Sequence, residues 1–187
     1  METKYIADLH LYDAYSEGWR NHLKLGLDGY AMLLIREWNS SVDDDDVVII
    51  AGDIGKCCPM SMDVLKRLKG IKILVVGNHD LQWGQLLRDS TLFKGTHEFI
   101  NNSGIFVSHK PDVVKPNECV YHIHGHHHQY DVPSMQSTLN QYARDTYRYN
   151  CASDLIGHKP RTLQELMLQK ELLLEKCRST NLLQEDF

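Results

Sequence analysis

Val47-Val48-Ile49-Ile50-Ala51 is apolar at every position, and Ile71-Lys72-Ile73-Leu74-Val75-Val76 is nearly so. A strand with one wet face alternates apolar and polar residues, whereas an unbroken apolar run has to be covered on both faces. Lys4-Tyr5-Ile6-Ala7 and Cys119-Val120-Tyr121-His122-Ile123 read as further strands, and Tyr147 to Cys151 as a late one. A hairpin is expected from His97-Glu98-Phe99-Ile100 and Ile105-Phe106-Val107-Ser108, joined by the polar turn Asn101-Asn102-Ser103-Gly104. Between these runs lie helical patterns. Asp28 to Asn39 carries Met32, Leu33, Ile35 and Trp38 with Asp28 as its expected cap, and Met60–Lys69 and Leu81–Arg88 follow. Thr162-Leu163-Gln164-Glu165 has the capping-box form and opens a C-terminal helix carrying Leu166, Met167, Leu173 and Leu174. Alternating strands and helices define an α/β fold. No repeat or linker interrupts the 187 residues, so residues 1–187 are expected to form one domain with a frayed tail from about Ser179 to Phe187.

Composition excludes several classes. With 42% hydrophobic and 24% charged residues the chain is neither disordered nor membrane-embedded in character, and no apolar run approaches the ~20 residues of a membrane-spanning helix. Met1-Glu2-Thr3-Lys4 opens no signal-peptide pattern, so a cytoplasmic location is expected. The five cysteines form no C-x-x-C pair, and the adjacent Cys57-Cys58 makes a poor closed metal site on its own. A net charge of −5 argues against general nucleic-acid binding but leaves a phosphorylated small molecule open as a substrate. Asp43 to Asp46 is read as a solvated turn.

The chemistry collects at the strand ends. Asp8 and His10 follow the first strand, Asp53 the second, Asn78, His79 and Asp80 the third, His109 the fourth, and His126 and His128 the fifth. Ligands of open α/β sheets bind at the carboxyl ends of strands, so these groups converge on one place. In D-x-H and H-x-H on extended backbone, residues i and i+2 point to one side. Imidazoles and carboxylates without thiolates suit Zn, Mn, Fe, Co or Ni. Seven ligands exceed one ion but serve two divalent ions if a carboxylate bridges. His22, His97, His122 and His158 are read as structural. His124 and His127 flank the ligands and either contact substrate or simply sit in the loop.

Asp8-Leu9-His10, Gly52-Asp53, Gly77-Asn78-His79-Asp80, His109 and Gly125-His126-His127-His128 resemble, in order, the five motifs of the calcineurin-like metallophosphoesterases. The stretch from Asn150 to Leu163 is similar to the closing segment of small bacterial and phage members. The resemblance implies a four-layer α/β/β/α sandwich of two packed mixed sheets flanked by helices. It implies one metal on Asp8, His10 and His128, a second on Asn78, His109 and His126, and Asp53 bridging. His79 would stand beside the leaving group, with Asp80 fixing its ring. The implied activity is phosphoric ester hydrolysis by a hydroxide shared between the ions, whose parent water is acidified from ~16 toward ~7. A catalytically silent scaffold with the same fold is the alternative. Gly55-Lys56-Cys57-Cys58 and Leu81-Gln82-Trp83 stand where protein phosphatases carry Asp-Arg-Gly and Arg. A phosphodiester or small phosphomonoester is therefore expected rather than a phosphoprotein, with the diester slightly favoured. Oligomeric state is not legible.

Overall fold

Val47–Ala51 forms β2, and its position accounts for its composition. It is an inner strand, with β1 (Thr3–Ile6) on one side and β3 (Ile71–Val75) on the other. The computed structural model describes residues 1–14, 23–115, 118–128 and 136–180. Helix α1 (Gly26–Asn39) joins β1 to β2, and α2 (Pro59–Arg67) joins β2 to β3. A 3-10 segment (Asp80–Arg88), kinked at Gly84, leads from β3 to β4 (Gly95–His97). Crossovers of this kind make successive strands parallel. The sheet β1-β2-β3-β4 is parallel in each of its pairings.

The second sheet runs β5 (Ile100–Asn102), β6 (Ile105–Val107), β7 (Tyr121–His124) and β8 (Arg148–Asn150). β5 and β6 form an antiparallel hairpin across Ser103 and Gly104, whose φ values of 50° and 83° suit the mirror-image turns that match strand twist. β6–β7 and β7–β8 are parallel, with α3 (Gln136–Arg144) preceding β8. α4 (Leu163–Ser179) closes the described chain. Its capping box is complete: Thr162 Oγ1 accepts from Glu165 N at 3.3 Å, and Glu165 Oε2 accepts from Thr162 N at 2.8 Å. The molecule is thus a mixed α/β fold with two four-stranded sheets.

Several expectations change. Two mixed sheets were expected, yet the first is parallel because each of its connections is a crossover. The expected strand at His97 belongs to that first sheet, paired with β3, so the hairpin begins only at Ile100. Asp28 sits in the first turn of α1 rather than at its cap, where Leu25 makes no side-chain bond. Asp46 is not solvated: it is 3% exposed and accepts from Lys4 Nζ at 2.7 Å and from the backbone N–H of Glu2 at 2.8 Å. The acid run therefore ends in an anchor for β1. The loop expected from Tyr12 to Leu27 and the tail from Ser179 lie partly outside the described residues, and His22 wholly so.

One core takes side chains from both sheets and from the helices. Ile6, Ile50 and Leu74 of the first sheet join Val107, Ile123 and Tyr149 of the second, together with Trp38, Leu65 and Leu166 from the helices. Each such aliphatic side chain contributes about 1.5–3 kcal/mol on burial. Beyond the strands, the backbone itself joins the sheets: Ala7 N donates to Cys151 O at 2.8 Å and Ser153 N to Ala7 O at 2.9 Å. That seam sets Asp8 against the segment that follows β8, where Ser153 Oγ donates to Asp8 O at 2.9 Å. Among the described residues no helix is long and apolar enough to cross a membrane.

Candidate metal centre

All the strand-end groups come to one region. Asp8 and His10 leave β1, Asp53 leaves β2, Asn78 leaves β3, His109 leaves β6, and His126 and His128 leave β7. Four of them hold backbone conformations that side chains rarely adopt: φ is 58° at Asp8, 42° at His10, 57° at Asp53 and 72° at His126. Such strain costs about 1–3 kcal/mol per residue and persists where the surroundings enforce it, commonly at functional sites.

Two glycines show why the motifs contain them. A Cβ on Gly125 would stand 2.5 Å from Ala7 Cβ and closer still to Asp8 Oδ2. On Gly77 it would stand 2.5 Å from Asp53 N and overlap Asp53 Oδ1. The ligand carboxylates pass directly over these backbones.

The ligand atoms form a continuous series. His126 Nδ1 lies 3.2 Å from His109 Nε2, and His109 Nε2 lies 3.2 Å from Asp53 Oδ2. Asp53 Oδ2 is 3.8 Å from His10 Nε2, which is 3.2 Å from His128 Nε2. Asn78 Oδ1 adds a contact of 2.9 Å to His109 Nε2, and Asp8 Oδ1 stands 3.5 Å from His128 Nε2. Two groups, Asp8–His10–His128 and Asp8–Asp53–His109, have ligand atoms all within 4.8 Å of one another. Asp8 belongs to both, but Asp8 Oδ2 is engaged by the backbone N–H of His126 at 2.9 Å. Asp53 Oδ2 is the oxygen that stands between the His10 and His109 sides.

The outward hydrogen bonds of the rings suit a cation at the centre. His109 Nδ1–H donates to Ala51 O at 2.9 Å, His10 Nδ1–H to Asp13 Oδ2 at 3.2 Å, and His128 Nδ1–H to Asp154 Oδ2 at 3.1 Å. With Nδ1–H committed outward, each Nε2 faces the centre, and two such nitrogens 3.2 Å apart need a proton or a metal ion between them. Two imidazoles on one tetrahedral ion with ~2.05 Å bonds would lie about 3.3 Å apart. The residues therefore fit metal ions.

Electrostatics agree. Burial pushes the Asp8 carboxyl up to about 6 despite the opposing pull of His109 and His128. At Asp53 burial acts the same way, but the His109 hydrogen bond and charge outweigh it and hold the group at about 2. Burial disfavours the His109 cation, yet Asp53 and Asp8 raise it to about 9. Burial and the His109 charge push His126 down to about 4. Without an ion, the His109 proton is the positive charge that a metal displaces.

Asp80 departs from expectation. Its Oδ2 accepts from Asp53 N at 2.9 Å and Gly77 N at 2.7 Å, and its Oδ1 from Ile54 N at 2.8 Å. Both oxygens are spent on backbone, so Asp80 clamps the β2 and β3 loops together rather than orienting the His79 ring. His79 itself is exposed, with its ring centroid 5.5 Å from that of His10 and its backbone N–H on Asp53 Oδ1 at 2.9 Å. His124 is fully buried with Nδ1–H on Gly125 O at 2.8 Å, and His127 is half-buried; neither joins the two ligand groups. Asp13 and Asp154, which orient His10 and His128, carry no motif that sequence reading could have caught.

No family model matches the chain, and no curated protein matches it. A solved structure, the protein of unknown function AQ665 from Aquifex aeolicus, is similar in fold: the TM-score is 0.64 at 19% identity, covering 89% of this chain and 98% of that one.

Proposed function

We propose that the chain is a two-metal phosphoesterase of the calcineurin-like class, hydrolysing a phosphodiester or a small phosphomonoester. The observation that carries the reading is the series His126–His109–Asp53–His10–His128, with Asp53 Oδ2 at its middle. Asp8, His10 and His128 would hold one divalent ion and Asn78, His109 and His126 the other, with Asp53 shared. Mn, Zn, Fe, Ni and Co all suit this donor set. In this reading the fold is a four-layer α/β/β/α sandwich, supported by the single core that Ile6, Ile50, Val107 and Ile123 share between sheets.

Bound divalent ions supply charge against the phosphoryl oxygens and acidify water for attack on phosphorus. The chain supplies the rest. Asp13, Asp154 and the Ala51 carbonyl fix the imidazole tautomers. Asp80 holds the Asp53 and Gly77 loops in one register. His79, on the open side of the centre, gives charge or a proton to the departing oxygen.

The test strips the protein of metal and restores Mn, Zn, Ni, Co or Mg with bis-p-nitrophenyl phosphate and p-nitrophenyl phosphate as substrates. Metal-dependent turnover is expected, abolished in Asp53→Asn and lowered about 10²–10⁴-fold in His79→Ala with metal content unchanged. Protein that binds two ions yet turns over neither substrate would be the silent scaffold. Protein that binds none would overturn the centre itself.

A further inference from the structure

A cavity of 620 Å³ adjoins the centre. Asn78, His109 and Lys110 line it, and Leu81, Phe99, Phe106 and Val113 supply its apolar walls. The segments that deliver the ligands also build those walls: Leu81 lies in the 3-10 segment that follows Asn78 after β3, and Val113 in the 3-10 turn Pro111–Val113 that follows His109 after β6. Leu81, Phe99 and Val113 are 74%, 54% and 56% exposed. Single exposed apolar residues are ordinary, but several around one cavity beside a polar centre mark a binding site. The Phe99 and Phe106 rings are stacked, 13° from parallel with centroids 5.2 Å apart, so they present a flat apolar face.

A second cavity, of 280 Å³, lies on the His126 side and is lined by Lys110, His127, Gln141 and Arg148 among others. It is polar and carries charge of both signs: Asp112 and Asp145 line it as well, and Arg148 Nη1 pairs with Asp145 Oδ2 at 2.9 Å. Lys110 lines both cavities, and its charge acts on His126. The apolar side of the centre is thus the one that an apolar, planar group can occupy.

We propose that the cavity walled by Leu81, Phe99, Phe106 and Val113 is the subsite for a planar aromatic ester group of the substrate, its phosphoryl end directed to the metal residues and Lys110. This rests on the phosphoesterase reading and narrows it to aryl or heteroaryl phosphate esters. Stacking on Phe99 supplies affinity, and the aliphatic side chains exclude water from the rest of the ring.

The test measures calorimetric binding of phenylphosphonate and methylphosphonate, both inert to hydrolysis, to the Mn-loaded full chain. Phenylphosphonate is expected to bind about tenfold more tightly. Phe99→Ala and, separately, Val113→Ser should cut that preference to about twofold while methylphosphonate binding stays the same. Equal affinities in the wild type, a preference that survives both variants, or no binding of either phosphonate would overturn the subsite. Equal affinities alongside metal-dependent hydrolysis of bis-p-nitrophenyl phosphate would overturn the subsite alone. A phenyl preference lost in the variants, with no turnover under any metal, would keep the subsite and overturn the enzyme.

Discussion

His10 and His128 are 118 residues apart in the chain, yet their Nε2 atoms stand 3.2 Å from one another. Each ring has an outer partner of its own. Asp13 holds the first and Asp154 the second through Nδ1, so the facing of the two nitrogens is imposed from outside the centre. Imidazole ligands backed by carboxylates are also more basic toward a cation.

The backing can be removed. Asp154→Ala leaves His128 in place but frees its ring to turn and lowers its basicity. Metal affinity should fall about 10–100-fold, measured by chelator competition, while far-ultraviolet circular dichroism stays that of the wild type. Unchanged affinity would mean that Asp154 is a bystander.

Gly125→Ala places a methyl carbon against Asp8 Oδ2 and Ala7 Cβ. Ala7 is locked by the seam to Cys151 and Ser153, so the Asp8 carboxylate is the group that yields. The expected result is loss of about one metal equivalent by elemental analysis and destabilisation of about 1–3 kcal/mol in urea. A variant that keeps its full metal content would show that the loop absorbs the methyl.

Asp80→Ala tests the clamp. Three buried backbone N–H groups, of Asp53, Ile54 and Gly77, lose their acceptor. At about 1–3 kcal/mol per orphaned donor, the loss should reach several kcal/mol in urea unfolding of metal-free protein. If Asp80 served the His79 ring instead, stability would hold and only the pH profile of turnover would move.

His122 makes stability depend on acid. Its Nε2 pairs with Ser108 Oγ at 2.8 Å, and burial, helped by the Arg148 charge, pushes its pKa down to about 4. The unfolded chain protonates near ~6.5, so the proton favours unfolding. Stability is then intact above about pH 6.5, drops as pH falls toward 4, and is lower by about 2 kcal/mol at pH 5 on this account. In His122→Phe the difference in urea stability between pH 7.5 and pH 5 should shrink by about that amount. An identical acid response would assign the loss to other groups.

What could be read from the sequence was what repeats at short range. The apolar runs announced β2 and β3, and the D-x-H and H-x-H residue types announced the groups gathered at the strand ends, although the backbone at Asp8, His10 and His126 is left-handed rather than extended. Contacts between distant segments left no trace. Asp46 resembled its solvated neighbours because Lys4, its partner, is 42 residues away. Asp80 stands next to His79 in the chain, which suggested a ring contact, but backbone N–H groups have no letter in a sequence. Helix α3 buries only Leu139 and Tyr142, too sparse a stripe to register as a helix. The parallel character of the first sheet depends on every link being a crossover, and β4 is only three residues long.

The seam between Ala7 and Cys151–Ser153 also orders events during synthesis. Asp8 and His10 leave the ribosome well before Asp154, which steadies His128. The first sheet can pair from local crossovers while translation continues, but closing the span from Ala7 to Ser153 waits for both ends and carries a long loop's entropy. On the two-metal reading, a cation arriving early would meet only part of the ligand set, so loading would follow the closing of that span.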